Sequence, residues 1–376
     1  MKAQNRHSVV VALIAITLLV MLLAIFVPSR VVPVSWDFQN NLWGPAHLLL
    51  QGSSPYNIKA LFPETNAVWM PMAIGLFLPL GELPVQWASN LWLLFNLSAL
   101  ATLTIHPAQR YRLKLWQIAL IMTGLVVFPP TLAHLQLGQI SLLVCLGLYF
   151  IAVYRQRMHP ALTGLILAAA LVKPQLLVLY LPLFLWWTVR EQGWRKAVSI
   201  SLFTVGWVVA LCLPLFILYP NWIPDLLSNM AGNNPWFYPS LYALVRWLSG
   251  STEIAAIVAG VCLVAGVGLT VAISGRLDAF HSLLWSLALT PIFSPIIWSW
   301  DYVLLFPLVV LAICRKKSRA GAWFLYPGLV LCMAGMFALR LSGVYADQYS
   351  IWAPVVAVIS IWASHHFSKE PAPETV

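Results

Sequence analysis

Two charged residues in unexpected surroundings raise the question of chemistry. Asp37 stands in "SWDFQNNLWGPAHLLLQGSSPYN" with no second acid beside it, and Lys173 stands in the apolar run "LAAALVKPQLLVLYLPLFLWW". A single carboxylate suits a general base that takes a proton from a hydroxyl. It does not suit a paired-carboxylate metal site, which needs a second acid. The structural alternative for Asp37 is a solvated loop residue or the N-cap of the helix that follows. A lysine at the centre of a membrane-like segment costs roughly 3 kcal/mol on insertion scales, so it has a partner or a task. Two further stretches, "FPPTLAHLQLGQ" and "IFSPIIWSWDY", carry His134, Gln136, Gln139, Trp298, Trp300 and Asp301, and Gln175 follows the lysine. Polar groups converging at membrane depth suggest a polar ligand, but they also satisfy one another if Lys173 pairs with Asp301. The sequence leaves both open.

These stretches need elements to position them, and composition says which. Hydrophobic residues make up 61% of the 376, charged residues 9%, and the mean hydropathy is +0.84. An all-α polytopic membrane protein follows, a single membrane domain over 1–376. The net charge of +10 comes from short basic clusters between apolar runs, which argues for membrane topology and against nucleic acid. The five cysteines lie in apolar runs without paired spacing, so they predict neither a disulfide framework nor a thiolate metal site. Twelve crossings are expected, at about 8–28, 85–105, 114–129, 138–154, 159–172, 174–189, 196–218, 253–275, 279–295, 299–314, 320–339 and 350–367. The first follows a basic start without an A-x-A-type cleavage site and is expected to be retained.

The segment "WMPMAIGLFLPLG" at 69–81 spans only ~20 Å as a helix, short of a ~30 Å hydrocarbon core. If it dips and returns, sixteen of the 21 lysines and arginines fall on the cytoplasmic side, leaving Arg30, Lys59, Lys173, Arg246 and Arg340 outside. Both termini are then cytoplasmic. The outer loops at 30–82 and 219–250 and the turns around Gln139, Lys173 and Asp301 face outward. The short helices flanking Lys173 imply that its turn is recessed in an outward-opening cavity.

The order of "DFQNNLWGPAHLLLQGSSPYN", "WMPMAIGLFLPLGELPVQWASNLWLLFNL", "LGQISLLVCLGLYFIAVYRQRMHPALTGLILAAALVKPQLLVLYLPL" and "FSPIIWSWDYVLLFPL" resembles glycosyltransferase family 87, the mannosyltransferase-like membrane enzymes of the GT-C fold class. The resemblance implies a sugar taken from a polyprenyl phosphate and transferred on the outer membrane face to a glycolipid or glycan acceptor. It implies Asp37 as catalytic base and places Gly138, Gln139 and Lys173 in the family block. Ser240, Leu241 and Arg246 match the family's large outer loop, and His134, Trp300 and Asp301 complete the expected donor-phosphate or sugar-binding set. The chain departs where members read Y-P-P, here Trp69, Met70 and Pro71, and where they carry paired histidines, here Trp300 and Asp301. No cofactor and no metal are demanded, because the leaving group is a monophosphate that Lys173 and Gln139 could stabilise. The alternatives are a lipid or sugar transporter or flippase, whose mark would be an internal repeat that the chain does not show convincingly, and a non-catalytic family member.

Overall fold

Apolar runs broken by proline, glycine and basic clusters fold as helices that end where those interruptions stand. The computed structural model describes residues 35–63, 65, 69–231, 239–315, 318–342 and 347–368. The helices are α1 (Trp36–Phe38), α2 (Gly44–Leu50), α3 (Pro71–Gly81), α4 (Val85–Arg110), α5 (Leu115–Val127), α6 (Pro129–Leu137), α7 (Ser141–Tyr154), α8 (Pro160–Ala170), α9 (Tyr180–Gln192), α10 (Trp194–Leu218), α11 (Trp222–Ala231), α12 (Leu241–Ser249), α13 (Thr252–Ser274), α14 (Ala279–Phe293), α15 (Phe306–Cys314), α16 (Arg319–Leu341) and α17 (Trp352–His366). Starts follow capping chemistry: Ser251 accepts from Ile254 N, Asp278 from His281 N and Ser318 from Gly321 N. Prolines at the first turns of α3, α6 and α8 lack only a hydrogen-bond donor that a helix start does not use.

Among the described residues, α4, α10, α13 and α16 are long and apolar enough to cross a membrane, and α5 with α6 would add a fifth, bent by 69°. On α10 and α13 the apolar side chains point outward, Leu202 67% and Val264 72% exposed, as lipid-facing helices require. The twelve expected crossings are not reached by helices of spanning length. Helices α3, α7, α8 and α14 have 11, 14, 11 and 15 residues, and 15 residues rise only ~22 Å. The first expected crossing, 8–28, lies outside the described residues.

The short helices form the middle. α7 packs on α4, α8 and α14, and the 3₁₀ helix Ser299–Leu305 packs on α6, α7 and α14. α3 lies against α10 so closely that a Cβ on Gly75 would stand 1.7 Å from the Leu211 carbonyl oxygen. The segment before α3 folds onto this middle as α1, a π-helical segment Gln39–Trp43, and α2. It buries Phe38, Leu42, Ala46 and Leu49 completely or nearly so. α11 is tied to that segment, with Ser54 donating to Asp225 and Asn229 Nδ2 donating to the Tyr56 carbonyl at 2.6 Å.

Candidate active site

Lys173 follows the end of α8 and precedes a proline, which bars the α conformation and leaves the lysine at φ −124°, ψ 76°. That turn carries its side chain into the buried middle, 5% exposed. Its Nζ donates to Gln139 Oε1 at 2.7 Å, Ser141 Oγ at 3.2 Å and Asp301 Oδ1 at 2.9 Å. An ammonium has three protons, and all three are used. Asp301 is fully buried; it also accepts from Ser141 Oγ, and its second oxygen accepts from Trp298 N at 3.2 Å. The ion pair that the sequence left open is therefore present in the structure.

Gln139 extends this cluster to Asp37. Its amide oxygen faces the ammonium, so its Nε2 faces away from it and donates to Asp37 Oδ2. Residues from the α1 segment, the α6–α7 junction, the α8 end and the 298–301 turn thus join in one chain: Asp37, Gln139, Lys173, Asp301. Asp37 belongs to the first turn after Ser35, so Ser35 and not Asp37 holds the N-cap position. Burial pushes the Asp37 carboxyl up to about 6, against the opposing pull of Lys173 and the Gln139 hydrogen bond. That value suits a base operating near neutral pH.

The junction between loop and helix is tight. Gly138 has φ +72°, and a Cβ there would lie 2.8 Å from Phe38 Cβ and 3.0 Å from Ser35 Cα. Ser35 N donates to the Gln136 carbonyl at 2.6 Å. Trp92 donates Nε1 to the Gly138 carbonyl at 2.7 Å and stacks on Phe38 with centroids 5.3 Å apart. The Trp69 ring lies 5.6 Å from Lys173 Nζ, a cation–π contact at the residue that departs from the usual Y-P-P pattern.

His134 is buried beside this cluster, with Nε2 3.0 Å from Asn96 Oδ1. Trp298 and Trp300 stack at 4.6 Å, and Trp300 Nε1 is buried without a hydrogen-bond partner among the described residues. Ser299 N donates to Asp347 Oδ2 at 2.9 Å, so a second carboxylate fixes the start of this turn. Burial raises the Asp347 carboxyl to about 6.

Ser240 and Arg246 are not joined to the cluster by any hydrogen bond among the described residues. Ser240 Oγ caps α12 by accepting from Ala243 N at 3.3 Å, and Arg246, in the last turn of α12, makes no side-chain hydrogen bond or ion pair there. Sequence reasoning missed Ser141, Asn96, Trp92 and Asp347. For Ser141 a signal existed, its position two residues after Gln139; the other three lie in apolar or loop contexts that single out no partner.

Comparison with known proteins adds one finding. The family model described as Glycosyltransferase family 87 matches residues 68–295, about three fifths of the chain. The match includes His134, Gln139, Lys173, Ser240 and Arg246, while Asp37, Trp300 and Asp301 lie outside it. No curated protein matches the chain.

Proposed function

Because this chain belongs to glycosyltransferase family 87, we propose that it moves a hexose, with mannose as the first candidate, from a polyprenyl phosphate to a glycolipid or glycan hydroxyl. The acceptor would be met at the outer face of a cell membrane, with both chain ends cytoplasmic. The observation that carries the reading is Asp37, held on the outer loop by Gln139 with one carboxylate oxygen engaged. The carboxylate takes the acceptor proton as the acceptor oxygen attacks the anomeric carbon. The bond from that carbon to the phosphate oxygen breaks, the phosphate leaves with the electron pair, and the anomeric configuration inverts.

Gln139 has two parts in this reading. It donates to the ionised form of Asp37, and it transmits the position of Lys173 without letting ammonium and carboxylate form a direct pair that would weaken the base. A direct phosphate contact by Lys173 would require displacing one of its three acceptors, of which Ser141 is the most distant. The buried His134 and the stacked Trp298 and Trp300 suit the donor side, where aromatic faces can meet a sugar ring. An apolar cavity of about 480 Å³, lined by Leu76, Phe77, Trp92, Phe95, Ile140 and Val144 among others, supports a lipid-linked donor. It shares Trp92 with the loop junction and reaches Ile140, next to Gln139.

The test is Asp37→Asn in purified enzyme reconstituted in lipid. Asparagine keeps the hydrogen bond geometry but is no useful base, so turnover is expected to fall by about 10²- to 10⁴-fold while donor binding persists. In the native enzyme the carboxyl gains a proton as pH falls through about 6, so transfer should decline there on acidification. Turnover in the asparagine variant within a few-fold of native would refute Asp37 as the base.

A further inference from the structure

A departing phosphate needs a cation whose charge is not already offset, and among the described residues placed outward Lys59, Arg246 and Arg340 meet that condition while Lys173 does not. Lys173 has its three protons committed and its charge offset by Asp301. Lys59 is exposed on the Ile58–Ala60 turn, and Arg246 sits on α12, which packs on α13. Arg340 stands apart by its bond to Gln136. It lies half-buried in the last turn of α16, the helix that packs against α6, and its Nη2 reaches Gln136 Oε1 at a long 3.4 Å. No carboxylate among the described residues pairs with it.

Gln136 is the link to the reaction centre. Its side chain meets Arg340, and its carbonyl accepts from Ser35 N at 2.6 Å, two residues before Asp37. At the same junction Ser35 Oγ, in a residue that is 0% exposed, has no hydrogen-bond partner among the described residues. Thus Gln136 holds, on its side chain, a guanidinium with four of its five N–H groups uncommitted among the described residues and, through its backbone carbonyl, the residue whose buried hydroxyl has no partner there. A phosphate accepts such donors, and the guanidinium fork fits two of its oxygens at once.

We propose that Arg340 anchors the phosphate of the lipid-linked donor, with the Ser35 hydroxyl as a second donor to it. The inference rests on the transferase reading above and gives the phosphate a place that Lys173, engaged with Asp301, does not offer. Lys173 then organises Gln139 and Asp37, and Arg340 faces the leaving group.

The experiment uses the full chain in phosphatidylcholine nanodiscs, with farnesyl monophosphate and farnesol as paired probes read by tryptophan fluorescence. Native protein is expected to bind the phosphate at least about tenfold more tightly than the alcohol, a difference of ~1.4 kcal/mol. Arg340→Gln should remove most of that preference with farnesol affinity and melting temperature unchanged, and Arg340→Lys should restore part of it. Arg340→Gln binding farnesyl monophosphate as tightly as native would overturn the assignment while leaving the transferase reading standing. Absence of the preference in native protein would instead sink the phosphate-linked donor itself. Inorganic phosphate competing as well as the farnesyl ester would make free phosphate the ligand and refute a lipid source. Equal competition by phosphatidylglycerol would reduce Arg340 to an ordinary anionic-lipid contact and also overturn the proposal.

Discussion

Among the described residues Asp37 and Lys173 are joined through Gln139 and not directly, and that separation decides what each can do. A direct pair would hold the carboxylate ionised and feebly basic; with the amide between them, burial pushes the Asp37 carboxyl up to about 6 against the pull of Lys173 and the Gln139 hydrogen bond. Lys173 finds its compensating charge in Asp301 instead, 128 residues along the chain. Because both are buried, removing one strands the other, at a cost of ~3–5 kcal/mol. Lys173→Met and Asp301→Asn are therefore each expected to lower the detergent melting temperature clearly, and the double variant to recover most of that loss. Transfer should stay impaired in the double variant, because Gln139 has lost the ammonium that orients its amide. A double variant that melts no higher than either single would show that the pair is not energetically coupled.

At the scale of elements, the loop–helix junction around Gly138 controls where Asp37 points. Gly138→Ala meets two obstacles, a positive φ and the backbone of Ser35 3.0 Å away. Its expected effect is a fall in turnover of tenfold or more with a stability loss of about 1–3 kcal/mol, checked by transfer rate and melting temperature together. Much of the helical pattern was legible in the sequence: 85, 196 and 253 were expected starts, and helices begin at Val85, Trp194 and Thr252. The stretch 129–138 was expected as a turn and is largely the helix Pro129–Leu137. Its two prolines suggest a break, which is real as a 69° bend, yet they are also compatible with a new first turn. Within the site, Gln139, Lys173 and Asp301 stood out because charge or amide is rare in apolar runs. Asn96 did not, since its partner His134 is 38 residues away and no local period reports such a pairing. Ser240 and Arg246 stood out by pattern resemblance alone, which carries no distance.

At the scale of the whole molecule, the basic clusters and the polar chain are expected on opposite faces. Arg155 pairs with Glu191 at 2.8 Å at the ends of α7 and α9, away from the Lys173 turn. A cysteine introduced near Gln109 should be shielded from an impermeant thiol reagent in intact cells, and one near the exposed Lys59 should react, in a background cleared of native cysteines. Labelling at both would overturn the arrangement with the active site outward. The Lys173–Asp301 pair also has a consequence for how the protein is made. At a synthesis rate of about 5–20 residues per second, the 128 residues between them take roughly 6 to 25 s to appear. Through that interval a lysine destined for the interior waits without its counter-charge, with Gln139, Ser141 and the Trp69 ring, already made, to hold it. The polar chain from Asp37 to Asp301 therefore closes late, when the Trp298–Asp301 turn arrives, and a ribosome-bound intermediate that has inserted α8 and α9 carries Asp37 and Gln139 but not yet the completed chain.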